Sequence, residues 1–336
     1  MAARPVKRFL PPLGLALATG GLLLLGWVAH AVLKPIPAPY HYQQVAEADA
    51  GGHDKLDTQA WPNLAIGKYE MRVDGIDKPV AVMHVARRGD AAPVMIDWDN
   101  RSEEPLASLD VSFPDLADVA QAIDKYTPKD ALVLAWWDTS RQIQLLCGRK
   151  AEFDAYLGQP VILPAFWRAQ TAAIEKYERE FWGAHPSATQ QRDFARFADA
   201  LSEDVATGTA GLRELAGGRE AYLVVQVSDI YKLGLMRPDR LGIASRSFRL
   251  QSDIHGNINA VDQWMREKKY SAYGLQKLAD NQVRAYFLTD VRSGNTLLAQ
   301  MLPFTTSKPT ELRAVQLVYQ HGGYWIYKLP AAATSH

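Results

Sequence analysis

The chain has 336 residues, 48% hydrophobic and 22% charged, with 37 Lys+Arg set against 37 Asp+Glu. That composition excludes a disordered chain and a many-span membrane protein. The lack of a basic excess speaks against nucleic acid as a partner. The single cysteine, Cys147, excludes an intramolecular disulfide and a Cys-x-x-Cys-His haem attachment.

Arg4, Lys7 and Arg8 precede a run over 13–33 that carries no formal charge apart from the titratable His30. A run of that length suffices to cross a bilayer as one helix, and the basic flank places the amino terminus in the cytoplasm. Ala29-His30-Ala31 also has the small-x-small form of a leader cleavage site, so a removable signal peptide is the alternative. The retained anchor is the expectation preferred, because the run exceeds a usual signal-peptide core. Both readings send the rest of the chain out of the cytoplasm. The expected organisation is therefore a stub and transmembrane anchor over 1–34, a proline-rich linker over 35–60 and an α/β domain over 61–330.

Three strand-like segments open the domain, over 65–73, 80–86 and 94–98, separated by the turn formers Asp74-Gly75 and Arg88-Gly89-Asp90. Pro114 suits a first helical turn, and Leu116, Val119, Ala120 and Ile123 keep helical spacing after it. The apolar run from Ala131 into Trp136-Trp137-Asp138 reads as a buried strand. Ile143, Leu145 and Leu146 then read as a short helix stopped at Gly148. From Pro164 the pattern is helical for about fifty residues, broken at His185-Pro186. Its first stripe is Phe166, Ala169, Ala173, Tyr177 and Phe181; its second is Phe194, Phe197, Ala198 and Leu201. A second buried strand over 221–227 ends in Ser228-Asp229 and leads into a short helix over 230–235. A helix over 259–268, a strand over 283–289, a helix over 296–302 and a hairpin turning at Gly322-Gly323 complete the chain. The order of strand, polar cap and short helix occurs twice. It predicts a mixed, largely parallel Rossmann-like sheet with flanking helices.

The carboxyl edge of such a sheet is where ligands bind. Trp136, Trp137, Asp138, Arg141, Arg149 and Asp229 are the candidate residues there, with an arginine expected to pair with Asp138. The plainer alternative is an aromatic plug beside a helix cap. Asp97, Asp99 and Asn100 could join Asp138 and Asp229 around a hard cation, although each of these residue types also caps turns routinely. No metal or other cofactor is expected, since no zinc-type histidine spacing occurs, and His84 and His255 read as structural. Arg237, Arg240, Arg246 and Arg249 could form a patch for an anionic partner or simply a solvated face. Gly-x-Ser-x-Gly, Walker and Gly-x-Gly-x-x-Gly sequences are missing.

The strand ending in Trp136-Trp137-Asp138, its isoleucine-containing helix and Gly148-Arg149 resemble the soluble domain of oligosaccharyltransferase catalytic subunits. The closing run Leu317-Val-Tyr-Gln-His-Gly-Gly-Tyr-Trp-Ile-Tyr-Lys-Leu329 is similar to that domain's last strands. Thr139-Ser140 stand where that family usually has Tyr-Gly, and its catalytic part is a many-span membrane region that this chain has no room for. Across most of its length the chain resembles the hydroxylamine oxidation protein HaoB family, on its layout and on Leu134-Ala135-Trp136-Trp137-Asp138-Thr139-Ser140-Arg141. That resemblance implies a non-catalytic accessory protein, periplasmic and held at the cytoplasmic membrane, with hydroxylamine oxidoreductase as a partner. The alternative is an extracytoplasmic enzyme or small-ligand carrier that uses the Trp136-Trp137-Asp138 edge.

Overall fold

The computed structural model describes residues 10–33, 37–49, 56, 60–61, 63–102, 104–183, 186–249, 254–279 and 281–331. Helix α1 (Leu10–Leu33) is followed by β1 (Tyr40–Asp49), which lies inside the stretch read as a linker. β1 pairs antiparallel with β2 (Ala65–Val73), which pairs with β3 (Ala81–Arg87), which pairs with β4 (Val94–Asn100), giving a four-stranded meander.

Helix α2 (Phe113–Tyr126) starts where the Asp97 carboxylate accepts a hydrogen bond from the Phe113 amide at 3.2 Å. It buries Leu116, Val119, Ala120 and Ile123, the positions at helical spacing. β5 (Leu132–Ala135) is buried at every residue. Its side chains alternate between two cores: Leu132 and Leu134 face one with Trp136, while Val133 and Ala135 face the other. Helix α3 (Trp137–Cys147) begins at once and ends on Gly148, whose φ of 66° is the left-handed cap conformation that glycine adopts without strain.

β6 (Lys150–Ala151), α4 (Thr171–Trp182), α5 (Ala188–Ser202) and α6 (Val205–Leu215) follow. At Gly208 a Cβ would stand 2.3 Å from the Ala200 carbonyl oxygen, so a glycine is what allows α5 and α6 to close up there. β7 (Ala221–Gln226) runs parallel to β5 and leads into α7 (Asp229–Met236). β8 (Ile243–Arg249), α8 (Ile254–Lys268), β9 (Ala272–Ala279) and β10 (Gln282–Leu288) form a second antiparallel sheet, ordered β8-β10-β9, with α8 against it. Short α9 (Val291–Gly294) and α10 (Leu297–Met301) precede the hairpin of β11 (Gln316–His321) and β12 (Tyr324–Leu329). The central sheet has the order β11-β12-β7-β5-β6. One of its faces packs on α5, α6 and α10, and the other on α2, α3 and the meander.

Two expectations are corrected. The sheets are mixed but mostly antiparallel, not largely parallel and Rossmann-like: among the described residues, parallel pairing is confined to β5 with β6 and β7. The cause is connection length. Strands joined by short turns must run antiparallel, and β7 lies beside β5 in parallel because a long helical crossover separates them. The second correction concerns the membrane. The run over 13–33 is helical as expected, but no helix among the described residues is long and apolar enough to cross a membrane. The single transmembrane span is therefore not upheld.

Candidate functional site

The amino end of α3 opens on a cavity of about 200 Å³ lined by residues from β1, β4, α3, α4 and the loop over 156–162. Four of the six sequence candidates, Trp136, Trp137, Asp138 and Arg141, line it together. The two tryptophans are buried and half-buried, and both indole N–H groups donate to the Gln159 carbonyl oxygen, at 3.3 and 2.6 Å. A buried indole needs such an acceptor, and the shared carbonyl ties the loop to α3.

Asp138 does not pair with Arg141. Its Oδ2 lies 2.7 Å from Nζ of Lys232 on α7, which is also 3.0 Å from Asp229 Oδ1. Asp229 Oδ2 accepts the Gln226 amide at 2.8 Å, but its Oδ1 meets Lys232 as an ion pair without hydrogen-bond alignment. Lys232 also sits 5.6 Å over the Trp136 ring. Burial disfavours the ammonium, but the two carboxylates outweigh it and hold the lysine pKa above its ordinary value. Burial likewise raises the Asp229 carboxyl, with Lys232 pulling the other way. An ammonium thus occupies the place between two aspartates where a hard cation had been considered. Asp97 faces His84 at 3.0 Å, and Asp99 faces Arg101 in solvent. No three of the described His, Cys, Asp and Glu residues converge to hold a metal.

The cavity's other acidic element was not among the candidates. Glu178 on α4 is buried and accepts hydrogen bonds from four groups: the Tyr40, Tyr42 and Tyr156 hydroxyls and the Trp182 indole. Burial raises its pKa, and these donors oppose the rise. Ile174, Glu178 and Trp182 are the buried face of α4, at i, i+4 and i+8. That repeat was the available signal. The stripe read instead, through Tyr177 and Phe181, packs half-buried on Tyr42 and Tyr69, and Phe166 is exposed. For Lys232 the signal was its spacing three residues after Asp229 on an otherwise apolar turn.

Arg141 is 6% exposed and donates from Nη2 to the Pro93 carbonyl at 2.7 Å, while the neighbouring Gln142 reaches the Met95 carbonyl. Burial lowers its pKa to about 10, which leaves it charged at neutral pH. Arg149 is elsewhere: it donates to the Asp124 and Thr127 carbonyls and pairs with Asp124 Oδ1 at 3.0 Å, closing the carboxyl end of α2. The arginines after Met236 do not form one patch. Arg237 and Arg240 are tied to Asp199 and Glu203, and Arg246 lies 3.9 Å over Trp264. The His255 side chain lies outside the described residues.

The arrangement defines an α/β domain with an aromatic-walled, charged cavity at the carboxyl end of a central strand. A family model described as HaoA-associated protein HaoB matches residues 6–329. The chain belongs to that family and is a hydroxylamine-oxidation-associated accessory protein. No curated protein matches it. Among solved structures it is similar to the C-terminal globular domain of oligosaccharyltransferase from Archaeoglobus fulgidus, at 13% identity and a TM-score of 0.30, covering 66% of this chain and 99% of that one. It is also similar to the C. jejuni PglB C-terminal domain, at 12% identity and a TM-score of 0.34, covering 63% and 98%. The HaoB family is thus shown, and the oligosaccharyltransferase domains that the motifs resemble occur among the structural neighbours. The structural scores carry no argument about activity.

Proposed function

We propose that the protein works in the periplasm and binds hydroxylamine oxidoreductase, or a form of it under assembly, through the cavity at the amino end of α3. The family's description as HaoA-associated carries this reading. The basic residues Arg4, Lys7 and Arg8 ahead of an apolar helix support export. The cavity suits a projecting side chain or chain end: half-buried aromatic residues at its mouth offer contact area at low entropic cost. The direct test is co-purification of the oxidoreductase with wild type and with Trp137→Ala, alongside deletion of the gene. Loss of the complex in the variant and impaired hydroxylamine-dependent electron transfer in the deletion strain are expected. Unchanged electron transfer and unchanged oxidoreductase maturation after deletion would sink the reading.

A second reading, a small-ligand carrier, is favoured by one observation. Trp136, Trp137, Asp138 and Arg141 line a concavity, and Asp138 is held by Lys232 as well as by its own helix turn. A ligand recovered with the native protein, absent after Trp137→Ala, is its expected signature; an empty native protein speaks against it.

A further inference from the structure

The charges that line the cavity do not cancel locally. Of the three lining acids, Asp138 is held by Lys232, Glu175 faces Arg179 at 3.8 Å, and Glu178 is taken up by its four donors. Of the three lining cations, Lys232 and Arg179 are thereby matched. Arg141 is not: among the described residues no carboxylate lies within 4.0 Å of it, and its one protein hydrogen bond goes to a neutral carbonyl.

A guanidinium presents two two-pronged edges, each built from one N–H of Nη2 and one of a neighbouring nitrogen. Nη2 has two N–H groups and uses one on Pro93. One complete edge is therefore unspent, whichever way the group is turned. Among the described residues Nε and Nη1 make no hydrogen bond, yet neither is sealed away from solvent-sized contact. In a side chain 94% buried that lines the cavity, what they open onto is the cavity. The walls beside it are aromatic: Tyr156 lies 5.9 Å from the Arg141 guanidinium, Trp137 meets Tyr156 at 4.7 Å, and Tyr156 stacks on Trp182 at 5.8 Å.

We propose that Arg141 anchors a carboxylate whose apolar, ring-sized body lies against Trp137, Tyr156 and Trp182. A planar carboxylate fits the free guanidinium edge with two parallel hydrogen bonds. The amino end of α3, at the cavity through Trp136, Trp137 and Asp138, adds a favourable field for an anion. The volume, about 200 Å³, falls below the ~300–1,000 Å³ of drug-sized sites and selects a single ring. This rests on the cavity being the binding site proposed above. It leaves two sources for one chemistry, a free aromatic acid or the carboxyl-terminal residue of a partner chain.

The test titrates the purified full chain with benzoate and benzamide, and with acetyl-glycyl-phenylalanine and its amide, following tryptophan emission and heat. The expected result is that at least one acid binds ten times or more tighter than its own amide. Arg141→Met should abolish that preference, and Arg141→Lys, which keeps the charge without the fork, should restore only part of it. Binding of benzoate points to a small acid, and binding of the peptide acid alone points to a chain end. Silence from both acids, equal affinity for acid and amide, or a preference that survives Arg141→Met overturns the proposal. The wild-type acid-to-amide ratio decides the matter even if the variants fail to fold. Acid binding by a protein whose Trp137→Ala variant still captures the oxidoreductase would remove the partner reading and leave this inference standing.

Discussion

Two acidic sites, one on the cavity wall and one at its edge, are held in different ways. Glu178 has no cation within salt-bridge range among the described residues; three hydroxyls and an indole surround it. Asp138 and Asp229 share Lys232, a buried ammonium. The first solution spreads one charge over neutral dipoles drawn from β1, α4 and the loop after β6. The second concentrates three charges at the junction of α3 and α7. Removing a neutral donor should cost little, because three remain. Removing the shared cation strands two carboxylates without their partner, and that is the costlier loss.

Lys232→Met should therefore have the largest effect, a destabilisation of about 3–5 kcal/mol measured by denaturant unfolding. Adding Asp229→Asn to that variant should recover part of the loss, since one stranded charge is then gone; a strictly additive double variant contradicts the shared-cation account. Glu178→Gln comes next, at about 1–3 kcal/mol, because an amide cannot accept from all four donors and brings donors of its own. This variant also sharpens the comparison through pH. The folded pKa of Glu178 is raised, so the folded state holds its proton more tightly than the unfolded chain does. Its contribution is then fully present below the unfolded carboxylate range and is lost as pH rises through the folded value. Wild-type stability minus that of Glu178→Gln should accordingly fall with rising pH across that window; a difference that rises instead would show that the four donors overcome burial. The smallest effect belongs to Trp137→Phe, about 1 kcal/mol, since Trp136 still donates to the Gln159 carbonyl. Its readout is a small shift in melting temperature.

The parts of this architecture that could be read in the sequence are those set by local chemistry. Gly148 closes α3 as glycine chemistry demands, and the strands over 65–73 and 221–226 follow from their apolar patterns and flanking turns. Strand direction was not legible, because two strand–cap–helix units say nothing about the strands inserted between and after them. β1 falls within the stretch read as a linker, since only Tyr40 and Tyr42 alternate inward against His41 and Gln43. Of the site, Trp136, Trp137, Asp138 and Arg141 were legible because they occupy one short segment. Glu178, Lys232 and Tyr40 were not, because each meets its partner only through the tertiary fold, 138 positions apart in the case of Tyr40 and Glu178 and 94 for Lys232 and Asp138. Arg149 looked equivalent to Arg141 from its nearness in sequence; α3 carries the two to opposite ends.

One consequence lies in the position of β1. Tyr40 and Tyr42, two of the four groups that hold Glu178, stand at the start of that strand, and α1 ends at Leu33. Seven chain steps reach at most about 25 Å. The end of α1 is thus on a short leash to the cavity, and a displacement of the helix arrives first at the two tyrosines. In proteolytic terms the same spacing sets a boundary. Cleavage after Ala31 spares both donors, whereas a cut only a dozen or so residues further along would strip them from Glu178 and loosen the cavity floor.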